Sequence, residues 1–211
     1  MREHSRYAVL IGGLVGSRSI SARDSFQSRL VSLFTELSAS ESICSPLTLT
    51  LGDEFQAVFS TGKDLFKTVM AIRAAIHPVP CRFAISIGTL TTTLNPHQAI
   101  GMDGPAFYKA RDALEELKLR KQHLALCGYS SQLQALLGPT IDLLWASTRT
   151  WKTNRLEILS GLLDGQTEQN LANRLAVSER AIYKNIHDAQ LHRWVELIQE
   201  VEMRITHMIR L

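Results

Sequence analysis

The sequence predicts an α+β fold with a ferredoxin-like arrangement, followed by an all-α C-terminal segment. Over the first 130 residues, stretches with an apolar period of two alternate with stretches of helical spacing. Their order is strand, helix, hairpin, helix, strand, helix, strand. A hairpin between two crossover helices is typical of a ferredoxin-like domain. After residue 130 only helical spacing remains, which separates the two parts.

Composition and charge exclude few classes of protein. The chain has 211 residues, of which 45% are hydrophobic and 20% are charged, as in an ordinary globular protein. Its net charge of +3 neither requires nor excludes nucleic acid as a partner. The three cysteines form no CxxC pair, which predicts reduced thiols and a cytoplasmic protein. No apolar run reaches the length of a membrane span, and we expect no signal peptide.

The first strand is predicted over residues 7–11, where an apolar run ends at Gly12 and Gly13. The following loop contains Ser17 and Arg18 among small residues. Such a loop suits a phosphate or another anion, and it equally suits a plain tight turn. We therefore take these four residues as candidate ligand-binding residues.

The other regular elements of this part follow from apolar spacing and from turn residues. Helices are predicted over residues 21–38, with Ser21 as the cap, over 61–76 and over 105–119, and strands over 82–88 and 123–127. The loop 89–104 is long for a compact domain, and loops of this length are usually functional or mobile. It contains Asp103, which is either a ligand-binding residue or the cap of the following helix.

A β-hairpin is predicted over residues 47–59, LTLTLGDEFQAVF, with its turn at Gly52 and Asp53. Asp53 and Glu54 would then lie side by side at the tip. Two adjacent carboxylates repel each other unless a cation lies nearby. A divalent metal such as Mg²⁺ bound by this pair is one interpretation, and a solvated acidic turn is the other.

Several segments carry a family resemblance. AVLIGGLVGSR, LTLTLGDEFQAVF, the stretch from RFAISIG through AIGMDGPAFYKARDALEELK, and QNLANRLAVSERAIYKNI resemble the SatD family over nearly the whole chain. The first 130 residues also resemble the class III nucleotide cyclase domain. This resemblance implies a cyclase-like fold with a metal-binding carboxylate on the first strand and another on the hairpin.

The departures from the cyclase pattern predict that this domain is not a working cyclase. Two-metal phosphoryl transfer needs carboxylates from two strands. The family usually has Asp where this chain has Gly13, and glycine has no ligand atom. The Asn and Arg of the cyclase helix correspond to Tyr108 and Asp112, and an acidic residue would oppose the developing phosphate charge. We predict no catalytic residue.

A helix-turn-helix is predicted in the C-terminal part. Residues 131–151 are interpreted as a helical linker of two short helices separated by Pro139, and a further helix covers residues 153–161. Thr167 then caps one helix, Ala176 and Val177 form a turn, and Ser178 caps a second helix. The pattern resembles the DNA-binding ends of response regulators and sigma factors. It places the domain boundaries at 1–130, 131–151 and 152–211.

The second of these helices would present a polar face to DNA. That face carries Ser178, Glu179, Arg180, Tyr183, Lys184 and His187. The module is nearly balanced in charge, so a helical hairpin that packs against protein is the alternative.

The C-terminal helix carries an apolar stripe with heptad spacing, which consists of Leu191, Trp194, Ile198, Val201, Ile205 and Met208. The stripe predicts a homodimer seam. Packing of the stripe on the chain itself is the alternative.

These patterns together predict a DNA-binding transcriptional regulator with a catalytically degenerate, cyclase-like domain for sensing or assembly. The alternative function is a nucleotide- or metal-binding protein, or an enzyme, that acts through Asp53 and Glu54.

Overall fold

The computed structural model describes residues 5–17, 20, 22–50, 53–129 and 131–211, with only the backbone described for 131–135. The strands within these residues form a five-stranded sheet in the order β2-β3-β1-β4-β5. The strands are β1 (Arg6–Leu14), β2 (Ile43–Leu49), β3 (Glu54–Phe59), β4 (Cys81–Thr89) and β5 (Leu124–Cys127). The predicted cap Ser21 lies outside the described residues.

The connectivity of the sheet confirms the predicted order of elements. β1 pairs antiparallel with both β3 and β4, and β2 pairs antiparallel with β3. Helix α1 (Arg23–Leu37) precedes the hairpin and α2 (Leu65–Ile76) follows it, which gives the ferredoxin-like βαββαβ pattern. Helix α3 (Pro105–Arg120) then leads into β5, which extends the sheet by parallel pairing with β4.

Alternate residues of the central strands belong to two separate hydrophobic clusters, because successive side chains of a strand point to opposite faces. On one face, Leu10 and Phe83 pack against residues of α1 and α2. On the other face, Val9 and Ala84 pack against α3 and the loop that precedes it. α3 therefore covers the opposite face of the sheet from α1 and α2.

The helices after the sheet share its larger cluster. They are α4 (Ser131–Ser147), α5 (Thr153–Leu163), α6 (Glu168–Leu175), α7 (Glu179–Ala189) and α8 (Leu191–Arg210), with a 3₁₀ turn at Thr148–Thr150. Buried residues of α5 and α8, such as Leu156 and Ile205, belong to the same cluster as Leu10 and Phe83. The mixed α+β fold class is confirmed, and the hydrophobic core crosses the predicted boundary at residue 130.

The prediction of two short helices on either side of Pro139 is wrong. The structure has one helix, α4, with Pro139 inside it. A proline inside a helix removes one backbone hydrogen bond, and α4 continues on both sides of Pro139 despite that loss. Next to it, the Thr140 hydroxyl donates a hydrogen bond of 2.7 Å to the Leu136 carbonyl.

The apolar stripe of α8 packs on the chain itself, so its assignment as a dimer seam is wrong. Ile198, Val201 and Ile205 are buried in the common core. The Trp194 ring packs edge-on against Trp151, with 5.4 Å between ring centroids. A homodimer through another surface stays a prediction. None of the described helices is long and apolar enough to cross a membrane.

Candidate functional site

The hairpin tip lies against the end of β1, where Glu54 pairs with Gly13. The predicted hairpin is confirmed, although Gly52 lies outside the described residues. The two carboxylates at the tip have different partners. Asp53 Oδ2 accepts a hydrogen bond of 2.7 Å from Ser17 Oγ, and Glu54 Oε1 lies 3.2 Å from Lys118 Nζ. The structure thus brings Ser17 and Asp53 together, and their role as ligand-binding residues stays a prediction.

Lys118, on α3, is a residue of this site that the sequence did not reveal. Its Nζ also lies 2.6 Å from Glu115 Oε1. The hydrogen bond to Glu115 raises the pKa of Lys118, and the one to Glu54 raises it further. The ammonium group therefore supplies the cation that the acidic tip was predicted to need. No cluster of three or more potential metal-ligating side chains occurs among the described residues, and the metal assignment to Asp53 and Glu54 stays a prediction.

The two glycines at the end of β1 have different roles. A Cβ on Gly12 would collide with the ring of Phe55, so close packing requires glycine at this position. A Cβ on Gly13 would lie 3.7 Å from Glu54 Cγ and 3.8 Å from Leu114 Cδ2, which are ordinary contacts. The site therefore has room for a Cβ at residue 13, where this chain has none. Arg18 lies outside the described residues.

Asp103 does not cap α3, so that alternative is wrong. The cap residue is Gly104, which has no side chain to contribute, and Pro105 begins the helix. Asp103 Oδ2 instead accepts a hydrogen bond of 2.6 Å from the Tyr108 hydroxyl. This bond raises the pKa of Tyr108. Both residues are exposed, so Asp103 is open to a ligand but is not part of the Asp53 and Glu54 cluster.

Helices α6 and α7 lie where the C-terminal pattern predicted two helices joined by a turn. The side chains of Thr167 and Ser178 each accept a hydrogen bond of 3.2 Å, from the Asn170 and Ala181 amides respectively. Both predicted caps are therefore confirmed. Ala176, between the helices, has a left-handed backbone with φ of 51°.

The predicted outward face of α7 is exposed along its whole length. Its inner residues Ile182 and Ile186 are buried. Six residues on the opposite side are exposed to solvent: Ser178, Glu179, Arg180, Tyr183, Lys184 and His187. The structure therefore groups all six predicted contact residues on one accessible surface.

A family model describes the chain from residue 7 to residue 196, and its description is the SatD family. The chain belongs to this family. Comparison of the sequence with curated proteins found no match.

Two similar solved structures are both described as a bacterial light-regulated adenylyl cyclase. They share 16% and 14% sequence identity with this chain, with TM-scores of 0.43 and 0.41. Each alignment covers 58% of this chain, and the alignments cover 75% and 43% of those two chains.

Proposed function

We propose that this member of the SatD family is a DNA-binding transcriptional regulator in which α6 and α7 form a helix-turn-helix. In this proposal α7 is the recognition helix that enters the major groove. The observation that carries the proposal is the division of α7 into a buried apolar side and a fully exposed polar side. A recognition helix needs both, because the scaffold must hold it while its outer face remains free.

The packing around α7 supports a fixed orientation of that face. Arg155 Nε, on α5, donates a hydrogen bond of 3.1 Å to Asn185 Oδ1 on α7. The guanidinium of the same arginine lies 5.7 Å from the centroid of the Trp151 ring. Since α5 also packs on α2, these contacts connect α7 to the sheet. Binding groups on such rigid elements are positioned more accurately than groups on loops.

The chemistry of the exposed face suits a duplex. Arg180 and Lys184 lie one turn apart and can bind phosphate oxygens, while Tyr183, Ser178 and His187 can donate to base edges or phosphates. With two basic contacts per recognition helix, the logarithm of affinity should fall with the logarithm of salt concentration with a slope of about −2. Glu179 contributes the opposite charge, which repels phosphate, and its carboxylate can accept from a cytosine amino group.

Fluorescence anisotropy with a labelled random-sequence duplex tests this proposal. The Arg180→Ala/Lys184→Ala variant should bind more weakly than the wild type, with a smaller dependence on salt. The Lys109→Ala/Arg111→Ala variant is the matched control, because it removes two exposed positive charges from α3. This control should bind like the wild type. Equal affinity of all three proteins at low salt would refute the assignment of α7 as a recognition helix.

In this proposal the sheet serves sensing or assembly without catalysis. The alternative, nucleotide or metal chemistry at Asp53 and Glu54, would require displacement of Lys118 from Glu54. It would also lack a carboxylate at Gly13. The geometry of the hairpin tip therefore supports the alternative less well than the exposed face of α7 supports DNA binding.

A further inference from the structure

A basic cavity lies where β4 begins, between the end of α2 and the end of α4. Its volume is about 190 Å³. Four basic side chains line it, namely Arg73, His77, His123 and Arg149, and no carboxylate occurs among its described lining residues. Trp145 and two prolines form apolar walls. The positive charge of this cavity is therefore not compensated by any carboxylate among its described lining residues.

Arg73 is held in a fixed position with part of its hydrogen-bonding capacity unused. Its guanidinium lies 4.4 Å from the centroid of the Trp145 ring, and Nη2 donates to the Thr148 carbonyl at 3.1 Å. Nη1 is buried and has no hydrogen-bond partner among the described residues. Burial lowers the pKa of Arg73 to about 10. A buried donor without a partner is costly, and an acceptor that reached Nη1 on entering the cavity would remove that cost.

His123 has cationic side chains around it. His123 Nδ1 lies 3.3 Å from the Cys81 carbonyl. Burial lowers the pKa of His123, and Arg82, Arg149 and Arg73 lower it further. His77 Nδ1 lies 2.9 Å from the Thr153 hydroxyl. The electrostatic neighbours of His123 are therefore cations, and their mutual repulsion favours an anion in the cavity.

We propose that this cavity binds a small phosphate monoester. Arg73 and Arg149 carry two permanent charges, which match a phosphate group with a charge of roughly −1.5 to −2 at neutral pH. Guanidinium groups bind phosphate oxygens through paired N–H donors. A cavity of about 190 Å³ has room for a phosphate group and a small organic group. The Trp145 and proline walls suit that organic group.

The site stands apart from the DNA-binding proposal, although it adjoins the helices that lead to α7. Arg149 lies in the 3₁₀ turn before α5, and His77 contacts Thr153 at the first position of α5. Phosphate binding can therefore be measured without DNA. Loss of either activity leaves the other one testable.

Titration calorimetry on the intact protein, at constant ionic strength, tests the site. The probes are inorganic phosphate and glycerol 3-phosphate, with chloride and succinate as reference anions. We expect both phosphate probes to bind to the wild type, and Arg149→Ala to weaken their binding at least tenfold. Arg149 is exposed, so its removal should leave the fold intact, and circular dichroism checks this. Arg120→Ala, which removes an exposed charge from α3, should bind like the wild type.

Three results would overturn the proposal. One is the absence of heat from both phosphate probes with a folded wild-type protein. Another is equal binding by the wild type and Arg149→Ala, which would move the phosphate elsewhere. The third is binding of succinate as tight as that of the phosphate probes, which would replace the phosphate assignment by general anion binding.

Discussion

Glu202 of α8 provides the cap that α2 lacks from its own sequence. The residue before α2, Asp64, has a left-handed backbone and makes no capping hydrogen bond with its side chain. Instead, the Phe66 amide donates a hydrogen bond of 2.8 Å to Glu202 Oε1. A carboxylate at a helix N-terminus is usually stabilising, because amide groups point toward it. In this position, however, burial disfavours the charged form of the Glu202 carboxyl group.

Burial raises the pKa of Glu202 from 4.5 to about 7, although hydrogen bonds from the Phe66 and Lys67 amides lower it in part. Between about pH 4.5 and pH 7, the folded protein therefore keeps Glu202 protonated, whereas the unfolded chain releases this proton. Stability from this group is fully present below that pH and is lost as pH rises to about 7. The pKa change corresponds to about 3 kcal/mol, at about 1.4 kcal/mol for each tenfold change in ionisation.

The variant Glu202→Gln tests this reasoning, because the amide keeps an acceptor oxygen for Phe66 and has no charge. The substitution should stabilise the protein relative to the wild type. This gain in the free energy of unfolding should be about 2 kcal/mol larger at pH 8 than at pH 5. Urea unfolding followed by tryptophan fluorescence measures both values. The comparison between variants at each pH removes the contributions of the other titrating groups.

Glu200→Gln is the matched control on the same helix. Glu200 is exposed and forms an ion pair with Arg204 at 2.8 Å, and exposed pairs contribute little to stability. Its loss should change the free energy of unfolding by less than about 1 kcal/mol at either pH. If Glu202→Gln showed the same effect at pH 5 and pH 8, the buried carboxylate would not govern stability here.

Three further substitutions and one assay of the wild type have expected outcomes. Ala176→Gly should raise the free energy of unfolding by about 0.5–1 kcal/mol in urea titrations, since glycine adopts the left-handed turn without steric cost; a loss would contradict this account of the turn. Ile198→Glu should lower stability by about 3 kcal/mol or more, because it buries a charge in the common core. Light scattering that finds a folded protein with only its association state changed would return α8 to the role of a dimer seam. The wild type should form no cyclic nucleotide from ATP or GTP with Mg²⁺ or Mn²⁺, and product seen by chromatography would contradict the loss of function inferred from Gly13. Gly13→Ala should fold, since a Cβ at this position has ordinary contacts, and a melting temperature many degrees lower would contradict this reading of the space beside Glu54.

The parts of the fold that local chemistry determines could be predicted from the sequence. The alternation of Leu47, Leu49 and Leu51 and the turn that follows predicted the hairpin. Thr167 and Ser178 predicted the starts of α6 and α7, because a cap depends on residues only three positions apart. The six exposed residues of α7 followed from helical spacing alone, once those starts were known.

Features that depend on distant residues could not be predicted in the same way. The heptad stripe of α8 shows that one side is apolar, but it does not identify the surface on which that side packs. Lys118 and Glu54 are 64 positions apart, and nothing local connects them. The basic cavity combines residues of α2, of the segment before β5 and of the turn before α5, each of which is unremarkable in its own surroundings.

Contacts between the sheet and the C-terminal helices are close and polar as well as apolar. A Cβ on Gly62 would collide with the backbone carbonyl of Glu202, and the Gly62 amide donates to the Thr206 hydroxyl at 2.9 Å. Lys67, on α2, forms an ion pair of 2.5 Å with Asp164 at the end of α5.

A chain that ended at residue 130 would therefore lose the cap of α2 together with the apolar cover from α8. Because its core would then be exposed, we expect residues 1–130 alone to aggregate, although the change in secondary structure at that point resembles a domain boundary. The position of α7 relative to the sheet is consequently determined by the shared core, so a ligand that alters the packing beside α5 can alter the presentation of α7.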